Sequence, residues 1–198
     1  MRCVVLLGIQ DTFNETYDCL VGVDRGAFYL AESGQKMDYA IGDFDSVSKD
    51  EFGLIQMYAK EIVQIPKAKD LTDSEFALAY LEEKGLTKII IYGGLGRRFD
   101  HTLVNIKLLE KYPHTTLKDS NNKIFVVSDG TYRIEKECYK YLSFIPLSLG
   151  KISVSGVQYP LENRNISLED TYLVSNEILN DVAEVIIEGK ILVLLTND

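Results

Sequence analysis

The sequence predicts an α/β N-terminal domain with a parallel sheet, followed by an all-β, sandwich-like C-terminal domain. Three observations carry that prediction. Short apolar runs alternate with helical patterns up to Pro113. Beyond it the helical patterns stop, and short strands follow one another between turn dipeptides. The chain has 198 residues, 46% of them hydrophobic and 26% charged, which is enough for two small cores and unlike a disordered or fibrous chain. The change of texture falls within residues 113–121 and puts the domains at 1–118 and 119–198.

Residues 3–9, 19–24, 39–41, 61–65 and 88–92 are short and rich in Val and Ile, as buried strands are. Between them, residues 25–33, 48–60, 72–84 and 101–111 carry apolar side chains at spacings of three and four, the pattern of an amphipathic helix. Asp73 and Glu75 suit the positive end of the third helix, and Gly85 after Lys84 suits its stop. Alternating strand and helix gives a parallel sheet with right-handed crossovers. In the second half, residues 123–128, 131–134, 142–146, 151–154, 171–174, 182–187 and 190–195 read as strands. Asp129-Gly130 and Glu188-Gly189 read as hairpin turns.

Lysine and arginine total 21 against 30 aspartates and glutamates, a formal net charge of −9. Polyanions are bound by releasing counterions onto cationic patches, so nucleic acid and anionic membrane surfaces are excluded as partners. The acidity is spread over both halves, with 14 basic and 18 acidic side chains up to residue 118 and 7 and 12 after it. Cys3, Cys19 and Cys138 are an odd set without metal-ligand spacing, and two histidines add little, so no structural zinc is expected. Free thiols point to a reducing, cytoplasmic location. The apolar run at 3–9 ends without a cleavage site and is not read as a signal peptide. No run approaches the ~18 apolar residues of a membrane span. The Asn14-Glu15-Thr16 and Asn165-Ile166-Ser167 sequons carry no meaning in a cytoplasmic chain.

In an open parallel sheet, ligands bind beyond the carboxyl ends of the strands. Aspartates gather there. Asp24 closes the second strand, Gly42-Asp43-Phe44-Asp45-Ser46 follows the third, and Lys67 to Asp73 follows the fourth. The fifth runs into Gly93-Gly94-Leu95-Gly96-Arg97-Arg98-Phe99-Asp100-His101. Two carboxylates about 4 Å apart repel by roughly 4 kcal/mol at an effective dielectric of 20. A divalent cation removes that repulsion, and magnesium favours one or two carboxylates plus substrate phosphates. The plainer alternative is a solvated turn in which Ser46 caps the next helix. The glycine segment lacks the spacing of a Walker loop or a dinucleotide fingerprint. Arg97 and Arg98 beside a helix start nonetheless suit a phosphate. His101 reads either as a general base or as a helix histidine orienting Asp100 or Asn105. Lys67 and Lys69 read as a solvated loop or a phosphate clamp, and Tyr139, Tyr141 and Phe144 as packing residues.

Gly42-Asp43-Phe44-Asp45-Ser46, Asp70-x-x-Asp73 and Arg98-Phe99-Asp100-His101 with Asn105 together resemble the thiamine pyrophosphokinase family. Gly156-Val157-Gln158-Tyr159-Pro160-Leu161 and Ser175-Asn176-Glu177 are similar to its C-terminal signature. The resemblance implies transfer of pyrophosphate from Mg-ATP to the hydroxyethyl group of thiamine, giving thiamine diphosphate and AMP. It also implies a homodimer whose active site is shared between subunits. By position, Asp43, Asp45 and Asp73 would hold Mg2+ on the triphosphate. Arg98 and Asp100 would orient phosphate and nucleophile, and Asp70 would help to position the reacting groups. Asp24, Ser46, His101 and Asn105 would lie on the ATP side. Tyr159 would set a ring against thiamine, while Ser175 and Asn176 would hydrogen-bond its pyrimidine. The family reads Asp-Gly-Gly where this chain has Asp24-Arg25-Gly26, so the Arg25 side chain is expected to crowd a close backbone approach. It reads Gly-Gly-Arg where this chain has Gly96-Arg97-Arg98, and Arg97 would add phosphate charge. Asp43-Phe44-Asp45 also matches the metal-binding pattern of nucleotide-sugar transferases, and a non-catalytic nucleotide-binding regulator is a third alternative.

Overall fold

Val, Ile and Leu runs bounded by polar turns order the first unit, Met1–Asp119, into strands β1 (Arg2–Leu6), β2 (Cys19–Val23), β3 (Met37–Gly42), β4 (Ala59–Gln64), β5 (Lys88–Tyr92) and β6 (Thr115–Lys118). The computed structural model describes residues 1–8, 10–66, 70–96 and 98–198. The strands lie in the order β4-β3-β2-β1-β5-β6, and every neighbouring pair is parallel. β2 is buried along its whole length, and β1 everywhere but Arg2. Covered on both faces, such strands need unbroken apolar runs instead of alternation. At the edge, β4 shows Lys60, Glu61 and Gln64 to solvent, charged and polar groups that discourage pairing with a further strand.

Helices α1 (Arg25–Glu32), α2 (Lys49–Tyr58), α3 (Asp73–Glu83) and α4 (Phe99–Lys111) make the crossovers. Leu30 and Ala27 of α1 and Ile55 of α2 pack with Val4, Leu20, Met37 and Ala40 of the strands. Ser48, not Ser46, caps α2. Its hydroxyl accepts the N–H of Glu51, while the Glu51 carboxylate accepts the N–H of Ser48, a reciprocal capping box. Thr72 caps α3 through the N–H of Glu75. α4 begins two residues before the apolar periodicity does, because Phe99 and Asp100 in its first turn are exposed. β1 ends at Leu6, not at residue 9. The N–H of Leu7 makes the last bond of the β1/β5 ladder, to the Tyr92 carbonyl at the end of β5, and residue 9 lies outside the described residues. The short strand β6 is missed by the sequence reading, since Thr115-Thr116-Leu117-Lys118 carries little apolar signal. Among the described residues no helix is long and apolar enough to cross a membrane.

The second unit, Ser120–Asp198, contains β7 (Asn122–Val127), β8 (Gly130–Glu135), β9 (Tyr141–Pro146), β10 (Gly150–Ser155), β11 (Leu161–Ile166), β12 (Val182–Glu188) and β13 (Ile191–Thr196). Antiparallel pairing gives two layers, β7-β13-β9 and β11-β10-β12-β8. Alternate residues of both, among them Ile134, Phe144, Ile152, Val185 and Val193, share one buried cluster, as in a β-sandwich. Three expectations fail here. Asp129-Gly130 and Glu188-Gly189 are not hairpin turns, because each joins a strand of one layer to a strand of the other. The two corners meet where the Asp129 carboxylate accepts the Gly189 N–H at 2.5 Å. Residues 171–174 form no strand; the Leu173 carbonyl accepts one bond from Phe144 of β9, Asn176 exchanges two with Leu142 as an isolated bridge, and Ser175 at φ +60° interrupts the run between them. The polar run Leu161–Ile166 is instead an edge strand, its Glu162, Asn163, Arg164 and Asn165 all exposed.

Candidate active site

β1 has β2 on one side and β5 on the other, so the strand order reverses there. Loops leaving the two carboxyl ends diverge at such a switch point and leave a crevice for a ligand. Here it is a cleft of about 420 Å³. Six residues anticipated from the sequence line it: Asp24, Ser46, Asp73, Arg98, His101 and Asn105. Asp43 lines an adjoining hollow with Phe44 and Ser48. Asp45, Asp70 and Asp100 are exposed and stand outside the lining of the cleft. Lys67, Lys69 and Arg97 lie outside the described residues.

Asp24 is the electrostatic centre of the cleft. It precedes α1 at φ +47° without capping that helix; its Oδ1 instead accepts the N–H of Phe44 at 3.2 Å. Burial first, then the charge of Asp73 and a hydrogen bond with it, push the Asp24 carboxyl up to about 7, with a smaller push from Asp43. Gly42 makes this placement possible, since a Cβ there would stand 2.0 Å from Asp24 Oδ1. The close backbone approach after β2 belongs to Gly26, where a Cβ would meet the Leu6 carbonyl oxygen at 2.1 Å. Arg25 therefore does not crowd it. Its guanidinium turns to the Ser46 carbonyl and to Glu51.

The loop carrying Asp43 and Asp45 is a tight turn. Asp43 Oδ1 accepts the Asp45 N–H at 3.0 Å, and Phe44 sits at φ +56°, a region that bulky residues rarely adopt. The Phe44 ring is buried against Phe52, with centroids 5.1 Å apart, which holds the strained residue in place. The glycine loop after β5 is pinned from α4. Asn105 Nδ2 donates to the Gly94 carbonyl at 2.9 Å, and the Thr102 hydroxyl accepts the Gly96 N–H at 3.1 Å. Asn105 is thus a buried brace for the backbone. Arg98 grips Asp100 through Nε at 3.2 Å and Nη2 at 2.5 Å, which holds the Asp100 carboxyl below the usual carboxylate range. Arg25, Ser74 and Thr102 also line the cleft and were not singled out as site residues by the sequence. A hydroxyl outside a motif string carries no signal of its own, and Arg25 stood out only as a departure from the family's Asp-Gly-Gly.

The second unit has its own hollow of about 120 Å³, lined by Tyr159, Asn176, Phe144, Tyr172, Leu173 and neighbouring apolar residues. Tyr159 is 64% exposed. The Asn176 amide holds it: Nδ2 donates to the Tyr159 carbonyl at 2.8 Å, and Oδ1 accepts the N–H groups of Tyr159 and Glu177, each at 3.0 Å. Ser175 is exposed, and its N–H donates to Ser143 Oγ at 2.9 Å.

Among the described residues no three His, Cys, Asp or Glu side chains gather closely enough to hold an ion by themselves. The donors near Asp24 are carboxylate oxygens that repel one another. Such a set fits a hard cation that arrives with most of its ligands, as magnesium does with phosphates and water.

Sheet, cleft and β unit define an α/β protein with a ligand cleft at its switch point and a β-sandwich unit. The chain belongs to the thiamin pyrophosphokinase family: the model of the family's catalytic domain matches residues 11–126, and that of its vitamin B1 binding domain matches residues 131–192. It is 37% identical over 175 residues to the thiamine pyrophosphokinase of Bacillus subtilis, covering 85% of this chain and 82% of that one. Among solved structures, a thiamin pyrophosphokinase family protein from Enterococcus faecalis superposes with a TM-score of 0.91 at 29% identity, over the whole of both chains. The Geobacillus thermodenitrificans thiamin pyrophosphokinase superposes with a TM-score of 0.89 at 32% identity, covering all of this chain and 98% of the other.

Proposed function

We propose that this enzyme transfers the pyrophosphoryl group of Mg-ATP to the hydroxyethyl group of thiamine and releases AMP. The observation that carries this reading is the cleft at the β1/β5 switch point. There the Asp24 and Asp73 carboxylates line the same cleft as the glycine loop and Arg98, with the Asp43 charge acting on Asp24 from the adjoining turn, in a chain of this family. Asp43, Asp45 and Asp73 would hold the magnesium that enters with the triphosphate, and that ion would offset charge on the phosphate oxygens. The backbone amides of the glycine loop and the Arg98 guanidinium face the phosphates. Asp100 keeps Arg98 in its bidentate orientation. Asp70 would help to position the reacting groups, and His101, in the first turn of α4 and lining the cleft, would lie on the ATP side. Bringing hydroxyl and β-phosphorus into line supplies much of the acceleration. Tyr159 offers an aromatic face to the cationic thiazolium, with Ser175 and Asn176 beside it. The same proposal makes the protein a cytoplasmic homodimer in which each thiamine site is shared between subunits.

The test is AMP formation from Mg-ATP with and without thiamine. Thiamine-dependent AMP and thiamine diphosphate in equal amounts support the reading. Nucleotide binding without AMP would point to a regulator, and transfer from a sugar nucleotide would point to the other Asp-x-Asp chemistry.

A further inference from the structure

Residues 43–46 carry two carboxylates in a turn that includes a phenylalanine at φ +56°, so something must hold that turn. Part of the hold comes from Asp24, which takes the Phe44 N–H. Packing of Phe44 on Phe52 and the Asp43–Asp45 bond add to it, and a further part comes from the residue after Asp24. Arg25 Nη1 donates to the Ser46 carbonyl at 2.8 Å, closing the far end of the turn. Arg25 Nη2 pairs with Glu51 Oε1 at 3.1 Å, and the other oxygen of Glu51 accepts the Ser48 N–H at 2.7 Å in the α2 capping box. The guanidinium also lies over the rings of Phe28 and Tyr29, 5.3 and 5.8 Å from their centroids. Stacking limits its rotation, while its planar fork serves two acceptors at once. A lysine could satisfy one acceptor, and an apolar side chain neither.

We propose that Arg25 is a positioning residue for the Asp43 and Asp45 carboxylates, bridging the end of their turn to the first turn of α2. Asp24 and Arg25 then hold the turn from its two ends, one as acceptor and one as donor. The consequence for catalysis rests on the reading of this turn as the Mg-ATP site; the consequence for the turn itself does not.

Three variants test it: Arg25→Met, Arg25→Gly and Arg25→Lys. Amide exchange of Phe44, Asp45 and Val47, followed by NMR without ligands, reads the turn directly. It should speed up about tenfold in Arg25→Met and Arg25→Gly, the factor that loss of one charge-assisted hydrogen bond carries at a partly exposed site. Arg25→Lys should recover part of the protection, and amides of β13 should not change. Calorimetric affinity for Mg-ATP, which needs no turnover, should fall about tenfold in Arg25→Met, by the same factor, while thiamine KM stays at the wild-type value. Unchanged exchange in Arg25→Met overturns the bridging role. Faster exchange with unchanged Mg-ATP affinity overturns the positioning role and leaves Arg25 purely structural. Failure of the wild type to form AMP would sink the proposed reaction while leaving the exchange result to decide the bridge.

Discussion

Asp24 in the first unit and Asn176 in the second are both partly buried polar residues at the mouth of a hollow, yet their surroundings treat them differently. Asp24 lies against a second carboxylate, and its pKa rises to about 7. Asn176 sends both ends of its amide to the backbone of Tyr159 and leaves an aromatic ring standing in solvent. The first arrangement stores electrostatic tension that a cation or proton relieves. The second has none, and its product is a shape. On the proposed reading, a charged phosphate and an aromatic ring call for these opposite solutions, one in each half of the chain.

The sharpest break of this contrast is charge removal in the first unit. Asp43→Asn and Asp45→Asn should each lower kcat roughly 100- to 1,000-fold, the cost of losing an electrostatic partner of the reacting phosphates, with far-UV circular dichroism unchanged. Wild-type rates in both variants at saturating magnesium would remove these carboxylates from the site. The matching change in the second unit should behave otherwise. Tyr159→Ala should raise thiamine KM about tenfold, as loss of a desolvated cation–π contact predicts, and leave the KM for ATP alone. Asn176→Ala, which removes the bonds that hold the Tyr159 and Glu177 backbone, should move thiamine KM the same way by a smaller factor. An equal rise in both KM values would mean that the two regions are not separable.

The tension at Asp24 also sets a pH dependence. Its carboxyl titrates at about 7 in the folded protein against about 3.9 in an unfolded chain. Between those values the native state binds more protons, so this group's contribution to stability falls as pH rises and is fully lost once pH passes the folded value. In chelator-treated protein, Tm of the wild type should drop relative to Asp24→Asn by about 3 °C between pH 4.5 and 8, the shift that ~1 kcal/mol produces in a chain of this size after allowance for solvent screening. Parallel melting curves for the two proteins across that range would show that Asp24 carries no such tension. No comparable pH effect is expected from Asn176, an amide whose bonds go to backbone groups.

The same contrast explains what the sequence made legible. Buried parallel strands such as β1 and β2 are unbroken apolar runs, and their pattern is local, so they are readable. Edge strand β11 is polar because only its pairing to β10 makes it a strand, and no local signal reports pairing. Asp129-Gly130 has the composition of a hairpin turn, but whether such a turn closes a hairpin or crosses between layers depends on residues some 60 positions away. Aspartates at strand ends were visible because the fold class alone says where strand ends meet. The bracing of the Asp43 turn by Arg25 and of the glycine loop by Asn105 and Thr102 was not, because these bonds join side chains to backbone groups whose position only the tertiary structure fixes. Asn176 shows the limit of carrying over a role by motif: its position was marked, while its three bonds to backbone were invisible.

The smallest expected effect tests how Asp73 is held. Thr72 caps α3 immediately before it, accepting the Glu75 N–H at 3.2 Å. Thr72→Ala removes that acceptor and should cost about 1 kcal/mol of stability, read as a fall in the midpoint of urea unfolding. Asp73 is tied independently to Asp24 by a side-chain hydrogen bond, so its place in the cleft should survive a frayed first turn. AMP formation by Thr72→Ala should stay within about twofold of wild type, well inside the loss expected from Asp43→Asn. If activity instead falls in step with the Asp43 variant while stability falls by only ~1 kcal/mol, the cap and not Asp24 is what aims Asp73. The electrostatic tension would then be a by-product of helix placement instead of a property of the carboxylate pair.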